Sequence, residues 1–181
     1  MNYFLDTEFS DLPWKPNVEL ISVALVREDG ASYFACSSEF DERNVSEFVT
    51  GNVLQHLPPI SERKALGSIK SSMLEFFAEL PVEKVWSVFP TVAQLQSFGF
   101  DEDKALDLLD RYGDFDYQLF RKILSDDYSE TWPNQGSNLT PIVIELIDRD
   151  YDMPRNMNEH DALSDAIWAR DVWMKAENEF L

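Results

Sequence analysis

The 181-residue chain carries 44% hydrophobic residues, 27% charged residues and a formal net charge of −19. This composition fits one globular domain over residues 1–181, with enough apolar side chains for a sizeable core. The strong acidity argues against a tight, sequence-independent binder of duplex nucleic acid, because such a binder needs a basic surface. It does not exclude a protein that holds a negatively charged ligand through bound cations.

Cysteine usage and hydropathy bear on where the protein works. Cys36 is the only cysteine, so no intrachain disulfide can form, and we expect a reducing, cytoplasmic location. The first residues have no basic leader, and Asp6 and Glu8 interrupt their apolar run. We therefore expect neither a signal peptide nor a stretch of about 18 or more apolar residues that could span a membrane.

The first 36 residues predict a three-stranded antiparallel meander. Apolar runs at residues 3–9 and 20–26 predict the first two strands. Glu28-Asp29-Gly30 is typical of a hairpin turn, and residues 32–36 return as a third strand.

The rest of the chain alternates helical patterns with short apolar runs. We predict a buried strand at residues 85–89, a polar surface loop at 125–140, and either a strand or a helix at 142–147. Apolar spacing and breakers predict helices over residues 43–57, 66–80, 102–112, 116–124 and 161–179. Strands first, then helices mixed with further strands, predict a mixed α/β sheet flanked by helices.

Two carboxylates lie on the first predicted strand, at Asp6 and Glu8. Because strand side chains alternate between faces, both point the same way, roughly 7 Å apart. Burying two carboxylates on a central strand is costly unless a cation satisfies them, and hard divalent metals prefer oxygen ligands. The spacing therefore indicates either a metal site or an edge strand whose polar face lies in water.

A histidine and a carboxylate, His160 and Asp165, lie near the start of the last predicted helix, for which Asn158 is the expected N-cap. Within one continuous helix, two residues five apart would point about 140° from each other. The pair can converge only if His160 lies on the loop and Asp165 lies on an early turn. The alternative is a surface histidine beside a capped helix.

The two pairs together resemble one known group of enzymes. Asp6-Thr7-Glu8 and His160-Asp161-Ala162-Leu163-Ser164-Asp165 are similar to the motifs of the DEDDh 3′→5′ exonucleases, and closer to the small stand-alone exoribonucleases of that group. The resemblance covers residues 2–59 and resumes at 160–166. It implies an RNase H-like fold, in which the antiparallel meander is extended by parallel strands and flanked by helices.

The family has a further aspartate at the end of the fourth strand or the start of the helix that follows. A reading without gaps puts Ala93 at that position, whereas the family's small–aromatic–Asp signature occurs later and ends at Asp116. We assign the third acid to Asp116. The alternatives are that the third acid is missing, or that Asp116 is only a solvated acid at a helix start, a role that Asp114 could equally serve.

The resemblance implies two Mg²⁺ or Mn²⁺ ions bound by Asp6, Glu8 and Asp165, with Asp116 acting directly or through water and His160 as general base. Such a site would release nucleoside 5′-monophosphates from single-stranded RNA or 3′ overhangs. Three alternatives stay open: a DNA exonuclease of the same chemistry, a catalytically degenerate relative that binds a nucleic acid or a protein, and an unrelated acidic metal-binding protein. A homodimer is implied by the resemblance alone.

A few further side chains are candidates for contact with a nucleic acid. Trp14 follows the first strand and could stack on a terminal base or pack in the core. Arg149, Arg155 and Lys15 are candidates for phosphate contacts, although the sequence does not fix their position.

Overall fold

The computed structural model describes residues 1–124 and 132–180 and contains one five-stranded mixed sheet. The strands are β1 (Asn2–Phe9), β2 (Leu20–Arg27), β3 (Ser32–Cys36), β4 (Lys84–Ser87) and β5 (Ser137–Asn138), arranged in the order β3-β2-β1-β4-β5. The first three strands are antiparallel neighbours, and β4 and β5 extend the sheet in parallel from β1. The predicted meander extended by parallel strands is confirmed, and it makes β1 the central strand.

The described residues form seven α-helices around this sheet. They are α1 (Glu47–Asn52), α2 (Leu66–Ala78), α3 (Val92–Ser97), α4 (Glu102–Tyr112), α5 (Phe115–Leu124), α6 (Thr140–Asp148) and α7 (Ala162–Glu179). None of the helices in these ranges is long and apolar enough to cross a membrane.

The two faces of β1 bury different cores. Tyr3 and Leu5 pack with side chains of α2 and α5, whereas Phe4 packs with side chains of α6 and α7. Because side chains alternate along a strand, Asp6 and Glu8 continue the face of Phe4 toward α7. Thr7 continues the opposite face, toward α5. The strand period therefore directs the two acids to the α7 side of the sheet.

Several predicted elements differ from the structure. The single helix predicted over residues 43–57 is wrong: α1 lies between two short 3₁₀ turns at Glu42–Asn44 and Leu54–His56. Ser46 starts α1 as a separate helix, because its backbone is extended and its hydroxyl accepts from the Val49 N–H. A further 3₁₀ turn follows at Ile60–Glu62.

The region after β4 contains an unpredicted helix, α3. Thr91 caps α3 through a reciprocal capping box with Gln94, and this pair of residues is the sequence signature of the helix start. The segment 142–147 resolves as helix within α6, which has a proline in its first turn. Of the predicted loop at 125–140, residues 125–131 lie outside the described residues. The loop prediction is wrong at β5, which pairs with β4.

Candidate active site

Asp6 and Glu8 lie near the end of the central strand, where the sheet is open on one side. β2 covers one edge of β1, pairing Asp6 with Ala24 and Glu8 with Ser22. On the other edge, the parallel pairing with β4 ends at Phe4, which lies opposite Trp86. Both carboxylates are half-buried. The alternative of a solvated edge strand is therefore wrong, because β1 lies between β2 and β4 in the sheet and neither acid is fully exposed.

Asp116 fills the gap that β4 leaves beside β1. Its Oδ1 accepts from the backbone N–H of Thr7 at 3.2 Å and from the Thr7 hydroxyl at 2.5 Å. Asp116 is thus fixed against the residue between the two strand acids. Asp114 instead accepts from the Gln118 side chain, and Ala93 is exposed on α3. The reading without gaps therefore does not bring a side chain to this site, whereas the shifted one does.

Gly113 explains how α5 returns to the end of the sheet. A Cβ at this position would lie 2.6 Å from the carbonyl oxygen of Leu109 and 3.2 Å from the ring of Phe89, which follows β4. Only glycine allows so close an approach without a shift of the backbone. The tight turn between α4 and α5 brings the start of α5, with Asp116, against β1.

The loop before α7 places His160 and Asp165 together. The predicted cap, Asn158, is wrong: the carboxylate of Asp161 caps α7 by accepting from the Ser164 N–H. Asp165 therefore lies on the first turn, and its Oδ2 accepts from the backbone N–H of His160 at 3.0 Å. His160 has a φ of 66°, in the left-handed region, and lies on the loop. This is the arrangement that the pair needs in order to converge.

The two ends of the chain meet at this point. Ligand atoms of Glu8, His160 and Asp165 all lie within 4.8 Å of one another. Asp6 lies two residues before Glu8 on β1, and Asp116 is hydrogen-bonded to Thr7 between them. All five predicted site residues therefore lie together near the end of β1.

Burial and like charge disfavour ionisation of these acids. Burial, followed by repulsion from Asp116 and Glu8, raises the pKa of Asp6 well above its ordinary value. Burial and then repulsion from Asp165 raise the pKa of Glu8 to about 8. The same causes act at Asp116, whose pKa rises to about 6 because hydrogen bonds from Thr7 only partly oppose its burial.

Asp165 behaves in the same way. Burial raises its pKa, and hydrogen bonds from the Asn156 side chain and the His160 backbone partly offset the rise. A bound cation reverses this balance, because it attracts each ionised carboxylate that the neighbouring acids repel. Carboxylate oxygens are also the ligands that Mg²⁺ and Mn²⁺ prefer. The donor set at this pocket therefore fits hard divalent cations.

Three further residues at the site were not predicted from the sequence. Thr7 holds Asp116, and Asn156 donates its side-chain amide to Oδ1 of Asp165. Phe48 is 55% exposed on α1, and its ring lies edge-on to the His160 ring with the centroids 4.9 Å apart. No local pattern marks either residue: Phe48 reaches His160 from a distant part of the sequence, and Asn156 reaches Asp165 through the conformation of the loop before α7.

Two of the other candidates for nucleic-acid contact, Trp14 and Arg149, have different contacts in the structure. Trp14 packs against Phe100 and Tyr112 in a small cluster with α3 and α4, so it has the packing role. Arg149 pairs with Glu145 and lies over the ring of Phe180. Phe180 follows the end of α7, about 22 Å along the helix from Asp165. Arg149 is therefore not a candidate for phosphate contact at this site.

Lys15 and Arg155 differ from the other cations. All fifteen lysines and arginines lie within the described ranges, and these two are the ones whose side chains make no ion pair, hydrogen bond or ring contact there. Lys15 lies on the loop after β1, and Arg155 precedes Asn156. The loops that carry the two unpaired cations thus extend from the site.

The fold of this chain is similar to the folds of several nucleases of known structure. The sheet with its flanking helices is similar to the nuclease domain of 3′hExo, a DEDDh family member solved with rAMP, over 99% of this chain and 92% of that one, with a TM-score of 0.50 and 12% identity. A 3′-exonuclease solved in a study of 3′-end specific recognition of histone mRNA stem-loop gives a TM-score of 0.52 at 13% identity, over 99% and 82% of the two chains. Cell-death related nuclease 4 (CRN-4) gives 0.50 at 16%, over 99% and 64%. The chain has the RNase H-like fold of the DEDDh nucleases, as predicted.

Part of the sequence is also similar to two curated proteins. Two curated proteins named 3′-5′ exoribonuclease, from two strains of Mycobacterium tuberculosis, are 46% identical to this chain over 59 residues. The match covers 33% of this chain and 34% of each relative, so the chain spans about a third of the length of the curated relatives it matches. No family model matches the chain. The predicted resemblance to the exoribonucleases of the DEDDh group is confirmed.

Proposed function

We propose that this protein is a metal-dependent 3′→5′ exoribonuclease that removes nucleoside 5′-monophosphates from single-stranded RNA or 3′ overhangs. The observation that carries the proposal is that Glu8, His160 and Asp165, from opposite ends of the chain, have ligand atoms within 4.8 Å of one another. The named exoribonuclease activity of the sequence relatives supports RNA as the substrate.

The proposed cofactor is a pair of Mg²⁺ or Mn²⁺ ions. Asp6, Glu8 and Asp165 are the proposed ligands, and Asp116 helps directly or through a water molecule. Bound divalent cations lower the pKa of a coordinated water and stabilise charge on the phosphate. The raised carboxylate pKa values support this assignment. They are raised because the acids are buried beside one another, and a bound cation would relieve the repulsion between them.

His160 is the proposed general base. It would accept the proton of the attacking water as the water oxygen forms a bond to the terminal phosphorus. The bond from phosphorus to the 3′ oxygen of the preceding nucleotide breaks, and that oxygen leaves and takes up a proton. The products are a nucleoside 5′-monophosphate and a strand shortened by one nucleotide. Phe48, edge-on to the imidazole, limits the positions open to the His160 ring.

Lys15 and Arg155 are the proposed phosphate contacts of the strand that leads into the site. Their side chains have no competing partner among the described residues, so a phosphate would not have to displace a carboxylate. Two such cations would contact a single strand end, whereas the net charge of −19 disfavours wider contact with a duplex.

The experiment compares single-stranded RNA and DNA, each labelled at the 3′ or the 5′ end, with Mn²⁺ and with EDTA. We expect Mn²⁺-dependent release of mononucleotide from 3′-labelled RNA and stepwise shortening of 5′-labelled RNA. Equal or faster cleavage of DNA would replace the RNA assignment by the DNA exonuclease. Binding without cleavage would favour the degenerate relative.

Two variants test whether the activity depends on the proposed metal ligands or only on the acidic surface around them. Asp6→Asn is expected to abolish the activity, whereas Glu159→Gln, an exposed acid beside His160, is expected to leave it unchanged. Activity that survives in Asp6→Asn would contradict the proposed site. We also propose that residues 1–181 form one exonuclease domain of a cytoplasmic enzyme that is a homodimer. Sedimentation of the same preparations tests the homodimer.

A further inference from the structure

Asn156 is a polar residue at the site that the proposed chemistry does not use. It lies on the loop between α6 and α7, and its side-chain Nδ2 donates to Oδ1 of Asp165. Its own Oδ1 accepts from the backbone N–H of Asn158 at 3.3 Å. The amide of Asn156 therefore connects the loop to the carboxylate, and its position is itself fixed by the loop.

The Asp165 carboxylate is held at both oxygens by the same loop. Oδ1 accepts from Asn156, and Oδ2 accepts from the backbone N–H of His160 at 3.0 Å. Two donors on opposite oxygens prevent rotation of the carboxylate about its last torsion angle. Each oxygen has two lone pairs, so each retains one that could face a cation. The pair of hydrogen bonds thus selects which lone pairs point into the pocket.

The orientation of Asp165 also determines where His160 lies. The backbone of His160 is in the left-handed region, which is unfavourable for a residue with a side chain. Its N–H is retained in that position by Oδ2 of Asp165. If the carboxylate turned, this acceptor would be lost and the backbone of His160 could relax. Asn156 therefore acts on two residues of the site at once.

We propose that Asn156 is a positioning residue whose side-chain amide orients the Asp165 carboxylate, so that one set of lone pairs faces the metal and Oδ2 keeps the His160 loop in place. This inference rests on the proposed function for the identity of the ligand. Hydrogen bonds to a metal-binding carboxylate typically matter by about 10- to 100-fold in metal affinity or activity when their donor is removed.

The test measures Mn²⁺ binding by electron paramagnetic resonance in the absence of any nucleic acid. Asn156→Ala and Asn156→Leu both remove the amide, and we expect each to raise the Kd for Mn²⁺ by about 10-fold or more. Asn158→Ala is the matched control, because only the backbone of Asn158 takes part in the loop contacts. It is expected to bind Mn²⁺ like the wild type.

A kinetic measurement separates positioning from a general loss of structure. For the Asn156→Ala and Asn156→Leu variants we expect kcat on RNA to fall by about 10-fold or more while KM stays within about twofold. Asn156→Gln retains the amide on a longer side chain and is expected to recover part of the Mn²⁺ affinity. Circular dichroism on each variant identifies any that fails to fold, in which case the remaining variant of the pair carries the test.

The outcomes distinguish this inference from the proposed function. Unchanged Mn²⁺ affinity in both folded Asn156 variants would overturn the positioning role, and so would an equal loss in Asn158→Ala. If the wild type binds Mn²⁺, the Asn156 variants bind it more weakly, and no nucleic acid is degraded, the positioning role holds and the exonuclease proposal fails.

Discussion

The replacement Glu8→Gln is expected to stabilise the metal-free protein at alkaline pH while it abolishes the activity. Burial and repulsion raise the pKa of Glu8 from its ordinary 4.5 to about 8. In the unfolded chain this carboxyl ionises near pH 4.5, whereas in the folded protein it resists ionisation until about pH 8. The carboxylate therefore leaves stability intact below pH 4.5 and reduces it as the pH rises toward 8. Gln, which is uncharged and nearly isosteric, does not impose this cost.

The size of the effect follows from the pKa change. A rise from 4.5 to about 8 corresponds to at most about 5 kcal/mol. Because Glu8 is half-buried and water reaches part of the pocket, we expect about 2 kcal/mol at pH 8. At pH 4.5 the difference between the variant and the wild type should fall below about 0.5 kcal/mol, since the wild-type carboxyl is then largely protonated in the folded state.

Urea unfolding in EDTA at a series of pH values between 4.5 and 8.5 measures this difference. Glu47→Gln, an exposed glutamate on α1, is the control and should change the free energy of unfolding little at any pH. With saturating Mn²⁺ the wild type should become more stable than Glu8→Gln, because the metal binds the ionised carboxylates. If Glu8→Gln were less stable than the wild type at pH 8 in EDTA, or followed the same pH dependence, the electrostatic account of the pocket would be refuted.

Three other predictions concern activity. Asp116→Asn should lower kcat by about 100-fold or more, with Asp114→Asn as its near-neutral control, and similar values for the two variants would argue against Asp116 as the third acid. His160→Ala should lower kcat by about 10²- to 10⁴-fold while Mn²⁺ affinity and the KM for RNA change little; a loss in KM alone would contradict its role as base. Lys15→Ala and Arg155→Ala should each raise the KM for RNA. Each should also reduce the slope of log affinity against log salt concentration by about 0.7, the value for one phosphate contact on a single strand. An unchanged slope would mean that the residue does not contact a phosphate.

The sequence by itself determined the parts of the site that depend on local geometry. The alternation of side chains along β1 puts Asp6 and Glu8 on one face whatever the rest of the chain does. Helix-start chemistry puts His160 and Asp165 at a loop–helix boundary, although Asp161 rather than Asn158 caps the helix. The meander of the first three strands also follows from local patterns, since each strand has its own apolar run and a short turn joins β2 to β3.

Only the tertiary structure decided which distant residues complete the site. Two helices, α3 and α4, lie between β4 and Asp116, so a reading without gaps reaches the exposed Ala93, whereas Asp116 is hydrogen-bonded to Thr7 of β1. Asn156 contacts Asp165 from the loop before α7, and Phe48 contacts His160 from α1, a distant part of the sequence. Local rules fix the direction of a side chain from its immediate neighbours, whereas contacts across more than a hundred residues depend on how the helices pack on the sheet.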